Sequence, residues 1–252
     1  MNPFDLTGKK ALVTGSSRGL GRAMATGLLA AGAELAICGR SQRVDEVALE
    51  LGAAVDRPVT AIQANLADRT ALCNAFDQVL AELGTLDILL VSHGIQERFP
   101  AEDFPETAWD RVLEVNLDSV FLLNQLAGRV MLAKGWGRII NVASLLSFLG
   151  GITVPAYAAA KGGVAQLTKA LSNEWAGRGV TVNAIAPGYM ATDMTEALQD
   201  DPQRNQMILS RIPAGRWGKP EDLMGLAVFL ASDAAAYITG TVIPVDGGWL
   251  GR

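Results

Sequence analysis

KALVTGSSRGLG, residues 10–21, is a short apolar run that passes through a glycine-rich turn into a helical pattern. Ala11, Leu12 and Val13 suit a buried strand, and glycines at 15, 19 and 21 let the backbone approach a bound group just before a helix begins. At a helix start the unsatisfied N–H groups and the dipole favour negative charge, so this strand-turn-helix suits a pyrophosphate. Its spacing is GxxxGxG, a loose match to the general fingerprint GxGxxG, and glycines in a turn also serve ordinary tight turns. The context decides between the two.

Working outward, apolar runs at 34–38, 59–63, 86–91, 138–143, 180–185 and 242–245 alternate with helical patterns such as 20–31, 70–83, 107–133, 156–176 and 220–231. Continuous apolar strands separated by helices predict an α/β fold: a Rossmann-like, doubly wound parallel sheet of about seven strands with helices on both faces. Such sheets bind ligands beyond the carboxyl ends of the strands, where strand order reverses. The chain of 252 residues is expected to form a single domain over 1–252, and its long connection at about 188–218 reads as a substrate lid. Gly188 and Gly218 are its expected hinges, with Tyr189, Met190 and Trp217 covering a substrate.

A net charge of -5 without a basic block argues against nucleic acid and against anionic membrane surfaces. No run is long enough for a membrane span, and no targeting segment is read. Cys38 and Cys73 form neither a disulfide framework nor a metal-ligand spacing, so a cytoplasmic setting is expected. His93 is the only histidine, and Ser92 or backbone carbonyls would satisfy its ring; no metal site is expected.

The chemistry points to SLLSFLGGITVPAYAAAK, residues 144–161. Tyr157 and Lys161 lie four apart on a helix entered through Pro155, so both project from one face. An ammonium ~4 Å from a phenol favours the phenolate by about 4 kcal/mol at an effective dielectric of 20. That pairing is expected to bring the phenol from about 10 to about 7, where it can exchange protons at cellular pH. Ser144, at the tip of IINVAS, is placed to hydrogen-bond the same reacting oxygen. After the second strand, Gly39 and Arg40 stand where an acidic residue would bind the ribose 2′-OH of NAD, and Arg18 with Arg40 forms a fork for a 2′-phosphate. NADP(H) is therefore favoured, with NAD(H) as the alternative.

Taken together, TGSSRGLG, Asn116 in EVNLDSVF, Ser144, the Tyr157-x-x-x-Lys161 pair and PGYMAT from Pro187 resemble the short-chain dehydrogenase/reductase family along essentially the whole chain. The resemblance implies a catalytic group of Asn116, Ser144, Tyr157 and Lys161, and a homotetramer built through the helices that carry Asn116 and Tyr157. It implies cofactor contacts at Gly15, Ser17, Arg18, Gly19, Leu20, Gly21, Arg40, Asn65, Leu66, Gly94, Tyr157, Lys161, Pro187, Gly188 and Met190, with Thr192 at the carboxamide end. Ser144, Leu146 and Tyr157 are the implied substrate contacts. One departure is plain: the family's NNAG after the fourth strand is VSHG here, residues 91–94, so the Asn bonds that brace the sheet are missing at Val91.

Several stretches, among them NEWA, RIPAGRWGKPEDLMG and VDGGWLGR, are most similar to the branch containing 2-dehydro-3-deoxy-D-gluconate and gluconate 5-dehydrogenases. The branch implies a small sugar-acid substrate, whose carboxylate needs a cation; Arg98 is the expected clamp, with Arg211 and Arg216 as alternatives. The branch also implies NAD(H), against which Gly39 and Arg40 weigh locally. A 3-oxoacyl thioester reductase and a catalytically silent dinucleotide sensor are the competing readings.

Overall fold

A computed structural model describes residues 2–252. In chain order the elements are β1 (Lys10–Thr14), α1 (Gly19–Ala30), β2 (Glu34–Gly39), α2 (Arg43–Val55), β3 (Val59–Gln63), α3 (Arg69–Leu83), β4 (Ile88–Val91), α4 (Glu106–Leu113), α5 (Ser119–Lys134), β5 (Gly137–Val142), α6 (Pro155–Trp175), β6 (Val180–Pro187), α7 (Glu196–Gln199), α8 (Pro202–Leu209), α9 (Met224–Ala231) and β7 (Val242–Val245). All seven strands are parallel, in the order β3-β2-β1-β4-β5-β6-β7. The chain winds outward from β1 to β3, then crosses back to β4, so the order reverses between β1 and β4.

Strand alternation divides the core. Leu12, Leu89 and Ile139 pack with α3 and α5 through Leu72, Phe76, Leu123 and Met131. Ala11, Val13, Ile88, Leu90 and Ile140 face the other way, against Met24, Leu28, Leu51 and Leu230 of α1, α2 and α9. Register then fixes the functional edge: Thr14 pairs with Cys38 and Val91, and Val91 with Asn141. The segments that follow β1, β4 and β5 therefore emerge side by side.

Local chemistry sets the helix ends. Asp68 accepts from the Thr70 and Ala71 amides at 2.8 and 3.0 Å to start α3, which stops at left-handed Gly84. The continuous helix expected over 107–133 is instead divided by a π-helical turn at Glu114–Asp118. Its cause is visible: Ser119 Oγ donates to the Val115 carbonyl at 2.7 Å, while the Asn116 side chain is drawn to a neighbouring loop. β6 runs two residues further than expected because Ala186 and Pro187 pair with Pro244 and Val245.

Candidate active site

The glycine turn is braced before any ligand is considered. Gly15 N and Ser16 N donate to the Cys38 carbonyl at 2.9 and 3.3 Å, and Ser16 Oγ donates to Val13 O at 3.0 Å. Gly15 has φ 67°, and a Cβ there would lie 2.6 Å from His93 Cα, so both conformation and space require glycine. A Cβ on Gly21 would strike the Gly15 carbonyl. The first turn of α1 holds no acidic residue, leaving its N–H groups open to an anion. These features fit the pyrophosphate of a dinucleotide.

Around that turn the expected contacts divide. A Cβ on Gly39 would lie 3.3 Å from Ser17 Cβ, so the tip of β2 adjoins the turn; Arg40 follows, exposed and without an ion pair among the described residues. Arg18 is exposed, and its Nη1 donates to Asp193 Oδ2 at 3.1 Å across to the 188–218 segment, a surface pair that leaves its other N–H groups open. Asn65 is exposed just past β3. Leu66 and Met190 commit their side chains to the core, so only their backbones can meet a ligand. Thr192 Cγ2 sits 3.8 Å from the Cβ position of Gly19, which brings the start of the long segment against the turn.

The long segment closes on itself. Met190 bridges Gly218, with Ala191 N donating to Gly218 O at 2.8 Å and Gly218 N to Tyr189 O at 2.9 Å. Neither Gly188 nor Gly218 has a positive φ. A Cβ at Gly188 would meet Asp246 Cα at 2.6 Å, and one at Gly218 would overlap the Met190 sulfur. These glycines serve close packing rather than the hinge freedom expected of them. Beyond the bridge, Ile208 and Ile212 pack with Leu145 and Trp249, and Trp217 Nε1 donates to Asn205 Oδ1 at 2.8 Å.

The four polar residues implied for catalysis converge. Lys161 is 3 % exposed, and its Nζ lies 5.7 Å from the Tyr157 ring centroid while donating to Val142 O at 2.6 Å. Asn116 is buried in the π-turn; its Oδ1 accepts from Ile95 N at 2.9 Å and its Nδ2 donates to Ile95 O at 2.7 Å. One Nδ2 hydrogen and one lone pair remain. A Cβ at Gly94 would lie 2.6 Å from Asn116 Oδ1 and 4.0 Å from Lys161 Nζ, so the two flank that glycine. Ser144 caps a 3-10 turn, accepting from Leu146 N at 3.1 Å. Ser147, unnoticed in the sequence, receives the Ser144 N–H at 3.4 Å and donates to Lys161 O at 2.7 Å, tying that turn to α6.

Protein electrostatics correct one expectation. Burial raises the Tyr157 phenol above its ordinary value, opposed by a hydrogen bond from Ser144. The lowering expected from Lys161 is not realised, because the ammonium is directed at the Val142 carbonyl and is itself lowered by burial to about 8. His93 brings a partial correction: its ring meets not Ser92 but Thr14 Oγ1 on Nδ1 at 2.8 Å and Ser119 Oγ on Nε2 at 2.7 Å, while the expected backbone carbonyl is that of Val115. Among the carboxylate-clamp candidates, Arg216 is held by Asp222 at 2.6 and 3.0 Å, and Arg211 stacks 4.1 Å over Trp249. Arg98 is exposed and donates to Gln96 Oε1 at 3.0 Å. Leu146 rests against Gly151.

The sequence reading also missed Asn124, Asn141 and Thr168. Asn124 and Asn141 exchange hydrogen bonds at 2.9 and 3.1 Å, and Asn141 donates to Thr168 at 3.2 Å, all buried. They bind β5 to both α5 and α6. An Asn within the apolar run IINV was the available signal.

A family model described as enoyl-(acyl carrier protein) reductase matches residues 15–250. The chain is 49% identical over 259 residues to a 2-dehydro-3-deoxy-D-gluconate 5-dehydrogenase of Pseudoalteromonas atlantica, covering 100% of both. Its fold matches, with a TM-score of 0.96 and 49% identity over 100% of both chains, a Beutenbergia cavernae protein assigned as an NAD(P)-dependent gluconate 5-dehydrogenase and solved with NADP at low occupancy. A Burkholderia cenocepacia gluconate 5-dehydrogenase in complex with NADP and tartrate gives 0.95 at 38% identity, covering 99% of this chain and 98% of that one. Glycine turn, four-residue polar cluster and full-length similarity agree: this chain belongs to the short-chain dehydrogenase/reductase family and is an NAD(P)-dependent oxidoreductase.

Proposed function

We propose that the chain interconverts a secondary alcohol and a ketone on a sugar acid of the 2-dehydro-3-deoxy-gluconate or gluconate type, with NADP(H) as the favoured cofactor. The observation that carries this is the convergence of Asn116, Ser144, Tyr157 and Lys161 on the strand-tip edge shared with the glycine turn. Gly15, Ser17, Gly19, Leu20, Gly21, Gly94, Pro187, Gly188 and Thr192 would hold the dinucleotide, and Arg40 its 2′-phosphate. When bound, the nicotinamide supplies or accepts the hydride. Ser144 and Tyr157 hold the substrate oxygen, and as the carbonyl carbon is reduced these donors stabilise the charge that grows there. Tyr157 then passes its proton to that oxygen, and in oxidation takes it back. Lys161 would bind the ribose hydroxyls, and the spare valences of Asn116 would hold a water that returns protons to solvent.

Arg98 is the proposed clamp for the substrate carboxylate, since Arg211 and Arg216 already have partners. Residues 188–218 act as a lid over the substrate within a single 1–252 domain. Exposed Trp109 and Phe121 on α4 and α5 support a homotetramer assembled through that face. The unpaired Cys38 and Cys73 support a cytoplasmic setting; among the described residues no helix is long and apolar enough to cross a membrane. The names of the full-length relatives favour a sugar acid over an acyl thioester. A silent sensor has no need of a complete proton-handling cluster.

The test is a screen of sugar acids, keto acids and 3-oxoacyl thioesters with NADP(H) and NAD(H). Turnover is expected on a gluconate-type acid. Reduction of thioesters alone would overturn the substrate assignment.

A further inference from the structure

The tautomer of the chain's one histidine is fixed by its neighbours. Ser119 Oγ spends its only proton on the Val115 carbonyl at 2.7 Å, so at 2.7 Å from His93 it must accept from Nε2–H. Nδ1 is then an acceptor, and Thr14 Oγ1 donates to it across 2.8 Å. The same Thr14 oxygen accepts the Ser92 N–H at 3.3 Å. Proton direction is thus set along the whole path: Ser92 N–H to Thr14, Thr14 O–H to Nδ1, Nε2–H to Ser119, Ser119 O–H to Val115.

The two ends of this path matter. Thr14 is the last residue of β1 and the first of the glycine turn, whose Gly15 lies directly against the His93 backbone. Val115 and Ser119 belong to the π-turn and the start of α5, on either side of Asn116. One residue beyond His93, Gly94 lies against Asn116 and Lys161, and the next, Ile95, is held by the Asn116 amide. A second proton on the ring would abolish the bond from Thr14 and set a cation near Lys161. In agreement, His93 is lowered to about 3, by burial first and the Lys161 charge second, opposed by the Val115 carbonyl.

We infer that His93 is a positioning residue: through a ring protonated at Nε2, it holds the cofactor turn in register with the turn that carries Asn116. It links both halves of the site through Thr14 and Ser119. The inference rests on the dehydrogenase mechanism proposed above for the catalytic arm of its test, but not for the binding arm.

The experiment compares His93→Ala, His93→Asn and His93→Gln with the wild-type chain in NADPH affinity, by fluorescence titration, and in kcat on the best sugar acid. Asn places an acceptor near the Nδ1 position and Gln a donor near Nε2. His93→Ala is expected to lose about fivefold in both readouts, the equivalent of one hydrogen bond at each end. His93→Asn should recover NADPH affinity but not kcat, and His93→Gln kcat but not affinity. A generalised structural role would not divide in this way. Because the sequence has one histidine, nitrogen-15 NMR reports its tautomer without assignment; an Nε2–H signal unchanged from pH 5.5 to 8.5 is expected.

An Nδ1–H or titrating ring, an Ala variant within about twofold of wild type in both readouts, or Asn and Gln variants that behave alike would overturn the inference. If His93→Ala does not fold, the Asn and Gln pair and the NMR spectrum decide. Should no sugar acid be turned over, the substrate assignment fails, while NADPH titration and the spectrum still judge His93.

Discussion

Lys161→Met isolates the consequence of burying an ammonium at 3 % exposure. Burial lowers Lys161 from 10.5 to about 8, whereas in the unfolded chain it keeps its ordinary affinity for the proton. Between those values the unfolded state holds a proton that the folded state has shed, so raising the pH favours folding. The gain begins near pH 8 and is complete above 10.5; between pH 7.5 and 10 it amounts to about 2 kcal/mol. Lys161→Met has no such group. Urea unfolding of both proteins over that range should therefore show the wild type gaining about 2 kcal/mol relative to the variant. Alkaline effects at groups remote from Lys161 are common to both and cancel in the difference. Parallel curves, separated by a constant offset, would mean that Lys161 retains its proton to ordinary pH, and the desolvation argument would be refuted.

Tyr157→Phe should lower kcat by at least about 10²-fold while leaving NADPH affinity within a few fold; substantial residual turnover, measured by cofactor absorbance, would remove Tyr157 from proton transfer. Arg40→Asp should shift the ratio of kcat/KM values from NADPH toward NADH by about 10- to 100-fold, the worth of a charge-assisted phosphate contact. An unchanged ratio would exclude Arg40 from the 2′-phosphate. Arg98→Ala should raise KM about tenfold for carboxylate substrates but not for neutral ketones, and equal effects on both would defeat the clamp.

Much of the scaffold was legible because its signals are local. Seven apolar runs marked all seven strands, and Pro155 announced the helix that carries Tyr157 and Lys161. What escaped depends on side chains meeting across distances the sequence does not encode. The π-turn at Asn116 looked like uninterrupted helix, since its cause is a loop peptide, Ile95, twenty-one positions away. Helical spacing correctly put Tyr157 and Lys161 on one face, but it could not show that the Val142 carbonyl would claim the ammonium. Charge counting suggested an Arg18–Arg40 fork; Asp193 is brought to Arg18 only by the return of a segment 175 residues later. His93 was visible as a singular residue, while its partners lay on two other elements.

The pairing of Met190 with Gly218 makes the stretch between them a closed excursion, anchored where it leaves and rejoins the main body. Loop closure depends only weakly on contour length, about 0.6 kcal/mol for each doubling. Such a clasped stretch can change in length at small entropic cost, provided that Ile208 and Ile212 keep their packing on Leu145 and Trp249. Evolution thereby gains an interchangeable cassette for tailoring which alcohol is admitted, and engineering gains a natural pair of splice points.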